Sequence, residues 1–141
     1  MAGLRLGYGI GRKETVARLE RIKLRNNTNV LVLAAAKASL LDPGHIDEER
    51  ARNTEVRAFT VDFFRKQGYD LAETQANFLF VNLRRPAKDF REACEKSDVF
   101  VGRDFPPLEK THTRISIGTI EEMQKATRVF SEVLAATAPS A

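Results

Sequence analysis

Thr113-Arg114-Ile115-Ser116-Ile117-Gly118-Thr119 decides how the chain is read, because it alternates like a strand and ends like the start of a helix. In an extended strand successive side chains face opposite ways, so Ile115 and Ile117 point to one side and Arg114 and Ser116 to the other. Gly118 permits the turn out of the strand, and Thr119 with Glu122 three residues on has the pattern of a capping box. The following helix carries Ile120, Met123, Phe130, Val133 and Leu134 at helical spacing, a stripe that would bury against Ile115 and Ile117. Arg114 is then left on the face this helix does not cover. There it is either a solvated surface residue or an anchor for an anion, since its planar fork grips a carboxylate bidentately.

Just upstream, Asn77-Phe78-Leu79-Phe80-Val81-Asn82-Leu83 reads as a strand, Pro86 opens a short helix to about residue 96, and Val99-Phe100-Val101 reads as a further strand. Gly102-Arg103-Asp104-Phe105-Pro106-Pro107 is a loop. The order β-α-β-β-α predicts a two-layer α/β unit with its helices on one side of a small sheet and Arg114 on the other.

The first half predicts three helices. Over residues 14–25, Val16, Leu19 and Ile22 form a stripe that Asn26-Asn27-Thr28-Asn29 breaks. Residues 30–41 are almost wholly apolar or small except for Lys37, the pattern of a helix buried on most sides. Asp42-Pro43-Gly44 ends it. A longer helix over about 46–67 has Val56, Phe59 and Phe63 as its inner stripe and Gly68 as its C-terminal cap.

The chain opens with Gly3-Leu4-Arg5-Leu6-Gly7-Tyr8-Gly9-Ile10-Gly11, where Leu4, Leu6 and Tyr8 alternate with Arg5 and Gly7 and predict a strand. The glycine spacing fails both nucleotide-loop patterns. This strand has no sequential neighbour to pair with, and a lone strand is unstable. Either it crosses to the second-half sheet or its own sheet belongs to a larger protein. The Ala, Thr, Pro and Ser tail after Leu134 reads as a frayed end.

The 141 residues, 43% hydrophobic and 30% charged, suit one soluble globular domain. No apolar run is long enough to span a membrane and no signal peptide opens the chain, so the expected location is cytoplasmic. Cys94, the one cysteine, reads as a small buried residue, and His45 and His112 as solvated loop residues without metal-ligand spacing. The net charge of +4 and a pI near 9.5 raise the question of an acidic partner. Arg12, Lys13, Arg18, Arg21, Lys23 and Arg25 crowd the first helix, yet no recognition motif or stacking platform accompanies them, and nucleic acid is not the expected partner.

Four motifs together resemble one family. Gly3-Leu4-Arg5-Leu6-Gly7-Tyr8, Gln75-Ala76-Asn77-Phe78, Val99-Phe100-Val101-Gly102-Arg103-Asp104-Phe105 and Arg114-Ile115-Ser116-Ile117-Gly118-Thr119 are similar, in order and spacing, to the C-terminal part of class I and II pyridoxal-phosphate aminotransferases. The histidinol-phosphate aminotransferase branch is nearest. The resemblance implies an α/β fold of PLP fold type I. In this layout residues 1–13 end the large cofactor domain with a strand, 14–71 form bridging helices, 72–136 form the small C-terminal domain and 137–141 a tail.

The resemblance also implies roles. Arg5 matches the arginine that binds the phosphate of pyridoxal 5'-phosphate, and Arg114 the arginine that clamps the substrate α-carboxylate. Arg103 resembles an arginine near a distal substrate phosphate, though Phe105-Pro106-Pro107-Leu108-Glu109-Lys110 departs from that branch. Asn77 and Tyr8 sit in motif positions near the active site, where a structural role serves each equally well. The implied partners are an amino donor and a keto acid, and the implied assembly is a homodimer. Transamination also needs a Schiff-base lysine and an aspartate at the pyridine nitrogen. In the family pattern both precede Arg5, and no lysine does so here. The expectation is therefore the C-terminal third of an aminotransferase, inactive by itself. The alternative is a noncatalytic basic α/β domain that binds an acidic partner or nucleic acid through residues 12–25.

Overall fold

The computed structural model describes residues 2–24 and 28–136. The expected break at Asn26 and Asn27, the charge of Arg25 and the expected tail at 137–141 lie outside the described residues. Five helices, α1 (Lys13–Glu20), α2 (Val30–Leu40), α3 (Pro43–Lys66), α4 (Ala87–Glu95) and α5 (Ile120–Ala136), accompany three strands, β1 (Asp70–Leu71), β2 (Phe78–Asn82) and β3 (His112–Ser116). The chain divides into two compact units, one through Asp47 and one from Glu48.

The second unit is an antiparallel sheet of order β1-β2-β3. Register across β2 and β3 pairs Leu79 with Ile115 and Val81 with Thr113, and all four are buried on one face. Against that face lie Val56 and Phe64 of α3, Phe90 and Cys94 of α4, and Met123, Ala126, Phe130 and Leu134 of α5. Phe130 is the hub: its ring centroid lies 5.9 Å from Phe64, 5.3 Å from Phe90 and 6.5 Å from Phe63. Offset and tilted ring pairs of this kind add to the area they bury.

The end of α3 follows from Gly68. At φ +75° it takes the left-handed conformation, its N–H bonds to the Arg65 carbonyl, and the Tyr69 N–H reaches the Phe64 carbonyl. This is the Schellman arrangement, and it turns the chain directly into β1. The strand escaped the sequence reading because two residues carry no readable period. The inner face of α3 also differs from expectation. Val56, Thr60 and Phe64 are buried, Phe63 is half-buried and Phe59 is 36% exposed, so the stripe runs through Phe64 rather than Phe59. Thr60 is tolerated there because its hydroxyl donates to the Val56 carbonyl at 2.8 Å.

Val99, Phe100 and Val101, expected as a strand, form no ladder. The Val99 N–H is already committed to the Cys94 carbonyl at the end of α4, and Asp98 before it sits at φ +55°. The observed order is therefore β-β-α-β-α. Cys94 is buried as expected, and burial pushes its thiol up to about 12, disfavouring the nucleophilic thiolate. His112 is half-buried and stacks on Phe80 at 5.2 Å, not a solvated loop residue; His45 is exposed in the first turn of α3.

In the first unit, Ala2–Leu4 is a 3-10 turn and residues 6–12 have no regular structure, so the expected strand is absent. The physical reason is the one the sequence raised: a strand needs a partner for its ladder, and none is present among the described residues. Pro43, expected in the break that ends the second helix, starts α3 instead, its fixed φ suiting the first helical position. Asn29 caps α2, its side-chain oxygen accepting from the Leu31 N–H at 2.8 Å. None of α2 is buried: Val30 is 74% exposed, Leu31 75% and Leu40 60%. The apolar composition of α2 is that of a buried helix, and the burial expected of it is not found among the described residues.

Two outcomes follow from this packing. Phe130→Ala removes the ring shared by α3, α4 and α5, and should cost about 3–5 kcal/mol, read as a lowered denaturant midpoint. The chain by itself should bind an apolar dye and self-associate through α2; a monodisperse species in sedimentation with no dye response would contradict this.

Candidate functional site

Because β2 and β3 alternate, the residues not used by the core gather on the opposite face. Register places Phe80 across from Arg114, Phe78 across from Ser116 and Asn82 across from His112. The Arg114 guanidinium carbon lies 4.8 Å from the centroid of Phe78, the diagonal neighbour. Loop 102–107 folds over the same face. It brings Phe105 edge-on to Phe80 at 6.2 Å and places its ring 5.3 Å from the Arg114 guanidinium.

Arg114 is therefore flanked by two phenyl rings. Contacts of this kind contribute ~0.5–1 kcal/mol when exposed and about 2 kcal/mol when desolvated. Nε of Arg114 is buried and has no hydrogen-bond partner. An enclosed, unanswered N–H on a guanidinium is costly unless something else compensates for it. The arrangement is suited chemically to a planar anion presented to the fork.

The loop is held at its base by an ion pair between Arg91 of α4 and Asp104, both about three-quarters covered. Arg103 is exposed, with its guanidinium 5.1 Å from the Phe105 centroid, so it shares that ring with Arg114. Gly102 lies where a Cβ would come within 3.2 Å of the Arg114 carbonyl, so the loop runs close against β3.

The turn after β3 holds the capping box read from the sequence. The Thr119 N–H donates to Glu122 Oε2 at 2.7 Å and the Glu122 N–H to Thr119 Oγ1 at 3.3 Å. A Cβ on Gly118 would fall 2.2 Å from Glu122 Oε2, so a side chain there would push that carboxylate out of the box. The Glu121 carboxyl is held below its ordinary value by its own backbone N–H and the Thr119 hydroxyl. A depressed carboxyl stabilises the native state above its unfolded value, and that contribution is lost as pH falls.

Asn77, of the same unit, does not join Arg114. Asn77 is exposed just before β2, where its carbonyl accepts the Ile117 N–H at 2.8 Å. It lines a hollow with Arg52, Asn53, Gly118, Thr119 and Glu122. Its register is that of Leu79 and Val81, the face opposite Arg114. Arg5 and Tyr8 belong to the first unit. Arg5 is exposed at φ +59°, and Tyr8 helps line a small cavity with Leu6, Ala36, Ser39, Leu40 and Ile46. Sequence reasoning missed Phe78 and Phe105. The alternation of Phe78 and Phe80 against Leu79 and Val81 held the signal for the first, whereas the loop that delivers Phe105 has no period. Among the described residues no cluster of His, Cys, Asp and Glu is placed to hold a metal ion.

Residues 1–130 match the model of the family "Aminotransferase class I and II". The chain belongs to this family. Among its relatives, the histidinol-phosphate aminotransferase of Moorella thermoacetica is 32% identical over 136 residues, covering 96% of this chain and 35% of that protein. Histidinol-phosphate aminotransferase 1 of Mesorhizobium japonicum is 33% identical over 135 residues, covering 95% and 37%. A crystal structure of a protein assigned as a histidinol-phosphate aminotransferase from Erwinia carotovora atroseptica superposes with a TM-score of 0.87 at 28% identity, covering 97% of this chain and 39% of that one. The fold also matches the enzyme from Sinorhizobium meliloti solved with pyridoxal-5'-phosphate, at a TM-score of 0.78 and 23% identity.

The chain thus spans somewhat more than a third of the length of these relatives. Its fold is part of the PLP-aminotransferase fold, and family membership makes pyridoxal phosphate the implied cofactor. Arg5 presents an exposed guanidinium, whose charge is of the kind that an anionic phosphate takes.

Thr119→Ala should cost about 1 kcal/mol, and Gly118→Ala a similar amount by displacing the Glu122 carboxylate from the Thr119 N–H. Thermal melts of the two single variants and the double variant check this. The double should be less destabilised than the sum, because both changes break the same box.

Proposed function

We propose that this chain forms part of the cofactor and substrate sites of a pyridoxal-phosphate-dependent aminotransferase of the histidinol-phosphate aminotransferase type, acting on an amino acid or an amino-acid-like compound. The observation that supports it most is Arg114: it stands on a rigid strand, flanked by two phenyl rings, with an enclosed Nε that no protein group answers. In the family motif that residue holds the substrate's α-carboxylate. A strand-borne fork with its stem fixed binds a carboxylate through two parallel hydrogen bonds and orients the α-carbon that reacts.

Arg5 would hold the cofactor phosphate. Bound pyridoxal phosphate supplies the electron sink that stabilises charge developing at the substrate α-carbon. Arg103, exposed on the loop beside Arg114, would meet the distal end of the substrate, and Asn77 would act at the rim. Residues 1–13 would then belong to the cofactor domain, 14–71 to the bridging helices and 72–136 to the small domain. The working enzyme would be a cytoplasmic homodimer using an amino donor and a keto acid. No helix among the described residues is long and apolar enough to cross a membrane.

None of these 141 residues matches the Schiff-base lysine, so this segment by itself would bind and orient without turnover. The alternative of a basic module for nucleic acid has no observation behind it. Its helix α1 is wholly exposed, with Lys23 near Glu20 at 3.9 Å, and the charge is that of a solvated face.

In an enzyme carrying this chain, Arg114→Ala should weaken recognition of the amino acid by about 2–5 kcal/mol, the scale of truncating one partner of a buried charge pair. Arg114→Lys should recover only part, because an ammonium cannot form two parallel bonds. Arg5→Ala should loosen pyridoxal phosphate, seen in a spectroscopic titration, with less effect on substrate choice. The check is half-reaction kinetics with the amino acid and with its decarboxylated amine. Equal losses with both would make Arg114 structural.

A further inference from the structure

Arg114 alone does not account for the geometry around it. Its guanidinium has Phe78 at 4.8 Å on its own sheet and Phe105 at 5.3 Å from the loop, and its Nε is closed off from water with no acceptor. An arginine side chain has many rotamers, and only a fixed one presents its fork without an ordering cost at each binding event. Phe78 is set by strand register, so it is always in place. Phe105 is not. It belongs to loop 102–107, and its position depends on the edge-on contact with Phe80 and on the Arg91–Asp104 ion pair. The second flank of the arginine is therefore delivered by the loop.

We propose that Phe105 is a positioning residue for Arg114: the loop places its ring so that the guanidinium is confined between two aromatic faces with its terminal nitrogens directed at the ligand carboxylate. This rests on the reading of Arg114 as the carboxylate anchor. The ring is attractive to the cation electrostatically yet offers no acceptor that would compete with the substrate for the fork. A carboxylate in the same place would satisfy Nε and neutralise the anchor. Arg103 stacks on the same ring at 5.1 Å, so the setting of Phe105 also bears on the cation beside the distal end of the site.

The test uses the pyridoxal-phosphate-loaded enzyme that carries this chain. Its probes are the standard L-amino acid it converts fastest and the amine left when that amino acid loses its α-carboxylate. Phe105→Leu keeps the apolar bulk and removes the aromatic face. It should raise KM for the amino acid about thirtyfold, the scale of one desolvated cation–π contact, with kcat changed far less and the amine unaffected. Phe105→Tyr should recover most of the loss. In an Arg114→Ala background, Phe105→Leu should add almost nothing, because the group it positions is gone.

If Arg114→Ala is selective for the amino acid while Phe105→Leu is silent, or if the two effects add in full, the positioning role is wrong and the carboxylate reading survives. If Arg114→Ala lowers acid and amine alike, both fall together. Should Phe105→Leu fail to fold, the wild-type protein labelled with 15N-arginine decides: the Arg114 Nε–H signal should be shifted upfield by the rings and exchange slowly with water. An ordinary position with rapid exchange would overturn the proposal.

Discussion

The two-residue period of β2 and β3, locked in one antiparallel register, is the constraint on which the rest depends. Leu79 opposite Ile115 and Val81 opposite Thr113 make the floor of the core, and the intervening positions put Phe80 opposite Arg114 on the other side. A slip of one residue would exchange the two sets, burying a guanidinium under Phe130 and exposing the aliphatic floor. The helices keep the register where it is, since Phe64, Phe90 and Phe130 leave no place for a charged group against the sheet. Core stability and site geometry are thus one choice made once.

On the open face the physics is different. A guanidinium next to two phenyl rings loses hydration and gains attraction to the ring faces, leaving its hydrogen-bonding capacity for a ligand. Asp104, the nearest carboxylate in the loop sequence, is already paired with Arg91. The same pairing anchors the loop on α4, a helix that the core holds through Phe90 and Cys94. In this way the packing under the sheet reaches the ring above it.

The first unit shows that a pattern of burial and burial itself are different things. The near-continuous apolar α2 and the alternating segment at residues 4–10 both carry patterns of buried structure, and both stand exposed among the described residues, Ile10 at 94%. The relatives reported above are between two and three times as long. Hydrophobic pattern states what an element requires; only the presence of a partner determines whether it is met.

By itself the sequence determined the elements whose signals are local. The strand at β2, the core stripe of α5, the Thr119/Glu122 box and the Gly68 stop each depend on residues within a few positions of one another. It also placed Arg114 on the uncovered face, because alternation fixes a side without reference to anything distant, and four motifs in order pointed to the aminotransferases. Tertiary structure alone decided the remainder. It paired the two-residue β1, shifted the α3 stripe from Phe59 to Phe64, denied Val99–Val101 a ladder and stacked His112 on Phe80. It also brought Phe105 to Arg114 and left Asn77 on the other face. Each of these turns on which atoms from distant parts of the chain compete for one hydrogen bond or one patch of surface, and no local period encodes the outcome of that competition.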